Sequence, residues 1–205
     1  MNEFKYYAMM YLNDWFQSDK LFVAGVSSKN TIESLKAFNQ AAKYYKVTRN
    51  FPVLEGEERL AMARKLVLNV RDPITDKNVS KKVEALSDRF KASYGRNAVS
   101  AASKFLWLRF KCPVVIYDSR ALAWLRYNDY DVSASDGYDV YRECWLEAFS
   151  EDLPEIKKAC EGLYKVKAYS LACDESDKDI INVTQSRWFQ ERVFDKYLWF
   201  NAGGD

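Results

Sequence analysis

Apolar residues recur at helical spacing along most of the chain, and this pattern predicts a mainly helical protein. In residues 3–17, for example, apolar side chains fall at Phe4, Tyr7, Ala8 and Tyr11. The same spacing predicts further helices over residues 31–45, 57–70, 80–92, 98–110, 118–127, 140–149, 154–166 and 185–200. We therefore expect an all-α fold.

Two short apolar stretches, 114–117 and 168–173, also fit the pattern of a β-strand. The chain has only 7 glycines and 4 prolines, and it contains no internal repeat and no linker of biased composition. A chain of 205 residues is long enough to bury a substantial core. We therefore expect one helical domain that spans residues 1–205.

The pattern is most informative over residues 80–127. Between two predicted helices, residues 94–97 form a tight-turn sequence in which Gly95 supplies a positive φ. Residues 112–117 follow the second helix as an apolar segment, and Asp118 then takes the N-cap position of another helix. The predicted order is helix, turn, helix, apolar segment and helix.

The net charge of +2 conceals an uneven distribution of charge along the chain. Residues 36–111 carry 17 Lys/Arg and 7 Asp/Glu, a net charge of +10, whereas residues 112–205 carry 11 and 18, a net charge of −7. A basic block of this size is typical of a surface that binds nucleic-acid phosphates. Solvated helix faces explain the same charges, and charge alone favours this second interpretation.

The absence of histidine excludes Ser-His-Asp and Cys-His nucleophilic sites and every zinc site that contains histidine. The acidic runs at 129–131 and 174–177 lack the spacing and the glycine of an EF-hand, so they are predicted to be solvated loops. The four cysteines show neither paired-ligand spacing nor a disulfide framework: Cys112, Cys144, Cys160 and Cys173. Any chemistry must therefore use carboxylates, lysine, tyrosine or cysteine.

The sequence also bears on where the protein works. No apolar run approaches the ~20 residues that a membrane helix needs. Residues 1–5 lack the basic segment and apolar stretch of a signal peptide. Together with the cysteine pattern, this predicts a cytoplasmic protein without a membrane partner.

Residues 94–104 and 113–120 carry a resemblance to a known family. The first segment is similar to the DNA-docking hairpin of the helix-hairpin-helix DNA glycosylases, and the second is similar to their apolar segment that ends in a catalytic aspartate. The resemblance is closest to the 8-oxoguanine-glycosylase-like branch, which includes small bacterial members thought to act in repair or against phage DNA. It implies a helix-hairpin-helix glycosylase-like fold with Asp118 as the catalytic carboxylate.

The resemblance also implies further site residues. Those expected to contact DNA lie in the first helix, the hairpin and the second helix: Lys81, Lys82, Tyr94, Gly95, Arg96, Asn97 and Lys104. Those expected to line a substrate pocket flank Asp118: Tyr117, Ser119 and Arg120. An N-cap role for Asp118 and ordinary surface positions for Arg96, Asn97 and Arg120 remain open alternatives.

Three features depart from the family's pattern. The hairpin has a single glycine, Gly95, where the family has two. The Schiff-base lysine of strand-nicking members would fall near Val99, and the nearest lysine, Lys104, lies 14 residues before Asp118. The four-cysteine iron–sulfur loop of the endonuclease III branch is missing. We therefore expect base hydrolysis without strand cleavage, and no cofactor.

Cleavage of an N-glycosidic bond suits a chain without histidine. The sugar becomes positively charged as the base leaves, and a carboxylate stabilises that charge and orients or deprotonates water. The base must first leave the duplex, which requires a basic surface and space-filling apolar or aromatic groups. The expected partner is duplex DNA with a damaged or modified base, phage-type modifications included, bound by a monomer.

Aromatic residues are abundant, with 14 Tyr, 12 Phe and 6 Trp. Four at helical spacings are expected in the core: Trp107, Trp188, Trp199 and Phe200. Three others fit a pocket, although nothing in the sequence selects them: Trp15, Tyr117 and Trp145.

Two other functions are consistent with the sequence. The first is a non-catalytic DNA-binding or adaptor protein on the same helical scaffold. The second is a helical interaction protein whose acidic C-terminal half binds a basic partner. A steep loss of DNA affinity with rising salt distinguishes a DNA-binding protein from the second.

Overall fold

The computed structural model describes residues 3–71 and 73–202. These residues form ten α-helices and no strand, which confirms the all-α prediction. The α-helices are, in chain order, α1 (Phe4–Asp14), α2 (Lys20–Val26), α3 (Thr31–Tyr44), α4 (Ala61–Leu68), α5 (Val79–Tyr94), α6 (Val99–Phe110), α7 (Ser119–Tyr127), α8 (Gly137–Glu161), α9 (Asp177–Thr184) and α10 (Arg187–Asn201). A π-helical turn at Trp15–Asp19 and 3₁₀ segments at Thr48–Asn50 and Leu163–Tyr169 complete the helical structure.

None of these helices has the length and apolar character that a membrane span requires. Met1 and Asn2, the first two residues of the segment that lacks the pattern of a signal peptide, lie outside the described residues.

The chain divides into two compact units. The continuous unit is Asp19–Tyr117, and the discontinuous unit combines Met1–Ser18 with Asp118–Asp205. The continuous unit carries 19 Lys/Arg and 9 Asp/Glu, a net charge of +10, and the discontinuous unit carries 12 and 20, a net charge of −8. The uneven charge of the sequence therefore coincides with a division of the fold. The expectation of a single domain stays a prediction.

The continuous unit has a phenylalanine-rich core. Phe51 lies at its centre, with ring centroids 5.1 Å from Phe90 of α5 and 5.8 Å from Phe105 of α6. Phe38 of α3 packs on Phe105 at 5.0 Å. All four side chains are at most 1% exposed, so α3, α5 and α6 bury their apolar faces against one another.

The contact between α2 and α3 depends on a glycine. A Cβ atom added at Gly25 of α2 would lie 2.5 Å from the Cβ of Ala37 in α3, well inside van der Waals contact. The two helix backbones therefore approach more closely than any larger pair of residues would allow. The sequence did not predict α2, whose residues lie between two of the predicted helices.

The discontinuous unit is built around α10, which packs against α1, α7, α8 and α9. Six consecutive residues of α10, 189–194, are buried, so this part of the helix is covered on all sides. Phe194 lies at the centre, with its ring 5.1 Å from Trp145 and 5.6 Å from Phe149, both of α8. The predicted aromatic helix at 185–200 is therefore the core helix of its unit.

The helices predicted at 140–149 and 154–166 are a single helix, α8, which continues through Pro154 to Glu161. Proline interrupts a helix because it lacks an N–H group and crowds the preceding turn. Here Ile156, Ala159 and Cys160 are buried beyond it, so tertiary packing stabilises the helix across the proline.

Other boundaries also differ from the predictions. Helix α4 begins at Ala61 rather than Glu57, after Leu60 with a left-handed φ of 70°. The predicted acidic loop ends early, since Ser176 caps α9 by accepting a hydrogen bond from the N–H of Asp179 at 3.1 Å. Neither stretch that fitted a strand is one: residues 114–117 are irregular, and residues 168–173 comprise the end of a 3₁₀ segment followed by a bend and turns.

Candidate active site

The predicted turn joins α5 to α6, and its geometry is fixed by local hydrogen bonds. Gly95 has a φ of 73°, and its N–H donates to the carbonyl of Lys91 at 2.8 Å. The hydroxyl of Ser87 accepts from the N–H of Ala98 at 3.1 Å and donates to Oδ1 of Asn97 at 2.5 Å. The positive φ predicted for Gly95 is confirmed, and the Asn97 side chain stabilises the turn from within.

Two of the side chains expected to contact DNA are buried. Tyr94 is 7% exposed, and its hydroxyl accepts a hydrogen bond from the N–H of Ala63 at 2.9 Å. Burial raises the pKa of Tyr94, so it stays a neutral phenol. Lys104 is 6% exposed, and its Nζ donates to Oγ of Ser100 at 3.0 Å. These positions correct the expectation that both side chains are available to DNA phosphates.

The remaining residues expected to contact DNA do not form one cluster. Arg96 is exposed beside the turn, where Nη1 donates to the carbonyl of Arg49 at 2.8 Å. Lys81 is exposed and Lys82 half-buried in the first turn of α5. At about 1.5 Å of rise per residue, these lysines lie roughly 20 Å along α5 from Gly95. They therefore belong to the opposite end of the hairpin.

The apolar segment between α6 and α7 is buried at Val114, Val115 and Ile116. Tyr117, which ends this segment, is half-buried, and its N–H donates to Oγ of Ser103 at 2.9 Å. The segment is therefore anchored to α6 within the continuous unit, as its apolar sequence predicts. The Tyr117 side chain was expected in a substrate pocket, and its half-buried position leaves that expectation open.

Asp118 begins the second part of the discontinuous unit. It has an extended backbone (φ −138°, ψ 138°) and is half-buried, and its Oδ1 accepts a hydrogen bond from the N–H of Arg120 at 3.0 Å. The predicted N-cap is confirmed. Since an N-cap carboxylate lies at the positive end of the helix dipole, its negative charge is stabilised there.

Two residues expected in a substrate pocket, Ser119 and Arg120, are exposed at the start of α7. The guanidinium carbon of Arg120 lies 4.1 Å from the ring centroid of Trp199 in α10, a cation–π contact. The expected core positions are correct for Trp107, which is 1% exposed, and wrong for Phe200, which is 48% exposed. Trp199 is half-buried, so a planar aromatic ring lies against the cation of Arg120, two residues after Asp118 in the chain.

A second carboxylate, Asp195 of α10, lies in the same unit. Its side chain is 12% exposed. Oδ1 accepts from Nε1 of Trp145 at 3.1 Å, and Oδ2 accepts from Nη1 of Arg192 at 2.6 Å. Burial raises the pKa of Asp195 to about 6; Arg192 opposes this rise, whereas the negative charges of Glu191 and Asp118 add to it.

Tyr141 of α8 lies near both carboxylates. It is fully buried, and burial raises the pKa of its phenol well above the usual value. The charges of Asp195 and Asp118 raise the pKa of Tyr141 further, and a hydrogen bond with the backbone of Asp118 lowers it in part. A neutral phenol therefore lies beside the start of α7.

Sequence reasoning missed Asp195, Arg192 and Tyr141, and it named Trp145 only as an unselected aromatic. The available signal was in α10, where Glu191, Arg192 and Asp195 interrupt an otherwise aromatic helix. Charged residues are rarely buried unless they are paired. Their presence on a helix this apolar indicates a buried polar network.

Other possible sites do not involve Asp118. In the described ranges 3–71 and 73–202, no group of histidine, cysteine or carboxylate side chains is arranged to hold a metal ion. A cavity of about 210 Å³ in the discontinuous unit is lined by four side chains of α8, α10 and the end of α9: Lys157, Glu161, Gln185 and Gln190.

Comparisons with known proteins assign no family to the chain. No protein-family model, curated protein or solved structure matches it.

Proposed function

We propose that this protein is a DNA glycosylase that hydrolyses the N-glycosidic bond of a damaged or modified base, with Asp118 as the catalytic carboxylate. The observation that carries the proposal is the position of Asp118. It is a half-buried carboxylate at the start of α7, and it follows a helix-turn-helix and a buried apolar segment in the chain.

The local geometry suits the chemistry. In hydrolysis the bond from the sugar C1′ to the base breaks, water adds to C1′, and the departing base gains a proton. The carboxylate of Asp118 stabilises the positive charge that develops on the sugar. Because the N–H of Arg120 holds Oδ1, the carboxylate is oriented before substrate binds, and little reorganisation is needed.

DNA binding is supported by the net charge of +10 on the continuous unit and by the exposed turn at Gly95, Arg96 and Asn97. Backbone N–H groups at a turn and at the following helix N-terminus favour phosphate binding. The buried Tyr94 and Lys104 support the hairpin rather than contact DNA. The Arg120 and Trp199 pair adds a surface on which a base can stack.

The test is release of bases by the wild-type protein and the Asp118→Asn variant. Duplexes that carry oxidised, alkylated or bulky modified bases, together with phage DNA, are incubated with each protein, and abasic sites are counted with an aldehyde-reactive probe. Asparagine caps a helix about as well as aspartate, so the variant should fold normally. We expect base release by the wild type and a loss of at least about 100-fold in the variant.

Asp129→Asn is the matched control. Asp129 is an exposed carboxylate after α7 with a φ of 64°, a conformation that asparagine also tolerates, so its activity should equal that of the wild type. Equal release by the wild type and Asp118→Asn would contradict the role of Asp118. DNA binding without base release by any of the three would instead favour a non-catalytic DNA-binding protein.

A further inference from the structure

The cavity of about 210 Å³ in the discontinuous unit lies outside the proposed catalysis. The end of α8, the end of α9 and the start of α10 surround it, and they contribute Lys157, Glu161, Gln185 and Gln190. We propose that this cavity binds a free α-amino acid. The carboxylate of the amino acid pairs with Lys157, and its ammonium group binds Glu161 and the side-chain oxygen of Gln190.

Gln190 supplies a polar group at the inner wall of the cavity. This residue is only 6% exposed, and its Nε2 donates to the backbone carbonyl of Gln185 at 3.3 Å. The bond sets the direction in which the carboxamide faces. Among the described residues no donor bonds to Oε1, and this oxygen keeps contact with solvent. An acceptor on a buried side chain is therefore open to an N–H group of a ligand.

Lys157 and Glu161 place opposite charges beside this amide. Both are exposed and lie four residues apart on α8, so they face the same way, with Cβ atoms about 5–6 Å apart. Within residues 3–71 and 73–202 neither of them forms an ion pair. Glu161 is also the last residue of α8, where the negative end of the helix dipole favours a cation. The lysine is thus open to a carboxylate and the glutamate to an ammonium group.

The size and polarity of the cavity select the class of ligand. Sites for drug-sized ligands enclose roughly 300–1,000 Å³, and this cavity is smaller. Its four lining residues provide a cation, an anion and two carboxamides. A free amino acid matches them because its carboxylate and its ammonium group are attached to the same carbon atom. An inorganic anion or a simple amine would satisfy only one of the two charges.

Isothermal titration calorimetry with each of the standard amino acids, at up to about 10 mM, tests the proposal. We expect at least one amino acid to bind with a dissociation constant of about 1 mM or below. Its amide lacks the carboxylate and its N-acetyl form lacks the ammonium group, so each should bind about tenfold more weakly. No binding by any amino acid, or equal binding of the three forms, would overturn the proposal.

Substitutions assign the binding to this cavity. Lys157→Ala should weaken binding of the amino acid by about five- to tenfold and leave that of its amide unchanged, because the amide has no carboxylate to lose. Glu161→Gln should weaken it similarly and leave binding of the N-acetyl form unchanged. Gln190→Met keeps the approximate size of the side chain, removes the carboxamide and should also weaken binding.

The matched control is Lys158→Ala. Lys158 is an exposed lysine on the same turn of α8 that does not line the cavity, so its replacement should leave every affinity unchanged. Circular dichroism checks that each variant is folded, and the exposed positions Lys157 and Glu161 decide the outcome if Gln190→Met unfolds. An affinity that neither Lys157→Ala nor Glu161→Gln alters, or that Lys158→Ala lowers equally, would place the amino acid elsewhere and overturn the site.

Discussion

At the scale of single residues, Asp118 combines a structural task with the chemical task that we propose for it. Its Oδ1 caps α7, which explains an aspartate here without any catalysis. Asparagine performs the cap equally well and cannot act as a carboxylate. The substitution Asp118→Asn therefore separates the two tasks, whereas Asp118→Ala would remove both and confuse lost activity with lost stability.

The raised pKa of Asp195 predicts that the free energy of unfolding depends on pH. Its pKa is about 6 in the folded protein and near 3.9 in an unfolded chain. A carboxyl whose pKa is raised by folding binds its proton more tightly in the folded state. Its contribution to stability is complete below about pH 4 and is lost as the pH rises through about 6, by up to about 3 kcal/mol.

Urea unfolding between pH 4 and 8 measures this effect. The free energy of unfolding of Asp195→Asn should increase relative to that of the wild type as the pH rises, because asparagine resembles the protonated acid. Asp129→Asn should follow the wild-type profile. Parallel profiles for the wild type and Asp195→Asn would show that the Asp195 carboxyl titrates normally.

At the scale of elements, the close approach of α2 and α3 depends on the missing side chain of Gly25. Gly25→Ala should lower the free energy of unfolding by about 1–2 kcal/mol, because overpacking outweighs the gain in helix propensity. The control is Gly162→Ala, where an added Cβ meets nothing within 4 Å and a φ of −93° suits alanine. Denaturant titration of both variants tests this, and equal stability would contradict the close packing.

Local signals predicted much of the element order but not the complete site. The turn at Gly95 and the cap at Asp118 were predictable because a positive φ and an N-cap each depend on a few neighbouring residues. The presence of Asp195 near Asp118 was not, because 77 residues separate the two and only the packing of α7, α8 and α10 brings them near each other. For the same reason, the continuity of α8 through Pro154 was missed.

The burial of Lys104 and Tyr94 has the same cause. A lysine and a tyrosine beside a hairpin look like DNA contacts in a sequence, yet both sit on the faces by which α5 and α6 pack into the continuous unit. Periodicity places a residue on a helix face. It does not determine how much of that face the neighbouring helices cover.

At the scale of the whole molecule, the opposite net charges of the two units predict how DNA affinity depends on salt. If DNA phosphates bind the basic continuous unit, the logarithm of the affinity should fall steeply with the logarithm of salt concentration. Replacement of an exposed lysine or arginine that contacts phosphate should reduce that slope by about 1. Fluorescence anisotropy with a labelled duplex, from 50 to 300 mM salt, measures both quantities.

Arg96→Ala and Lys81→Ala are the variants to compare, since they lie at opposite ends of α5. A reduced slope for Arg96→Ala alone would locate DNA at the turn. Absence of any DNA binding would instead favour the alternative of an interaction protein. In that case the discontinuous unit, with a net charge of −8, would bind a basic protein partner.

The discontinuous unit is made of two separate chain segments, and this has a consequence for synthesis on the ribosome. Helix α1 is translated before the continuous unit, yet the helices it packs against, α8 and α10, are translated after it. The continuous unit, in contrast, is a single stretch of chain that emerges complete while α7 to α10 are still to be made. Domains generally fold as units in the order of their emergence. The nascent chain therefore carries the whole continuous unit, and an α1 without its partners, before the helices that follow Asp118 are translated.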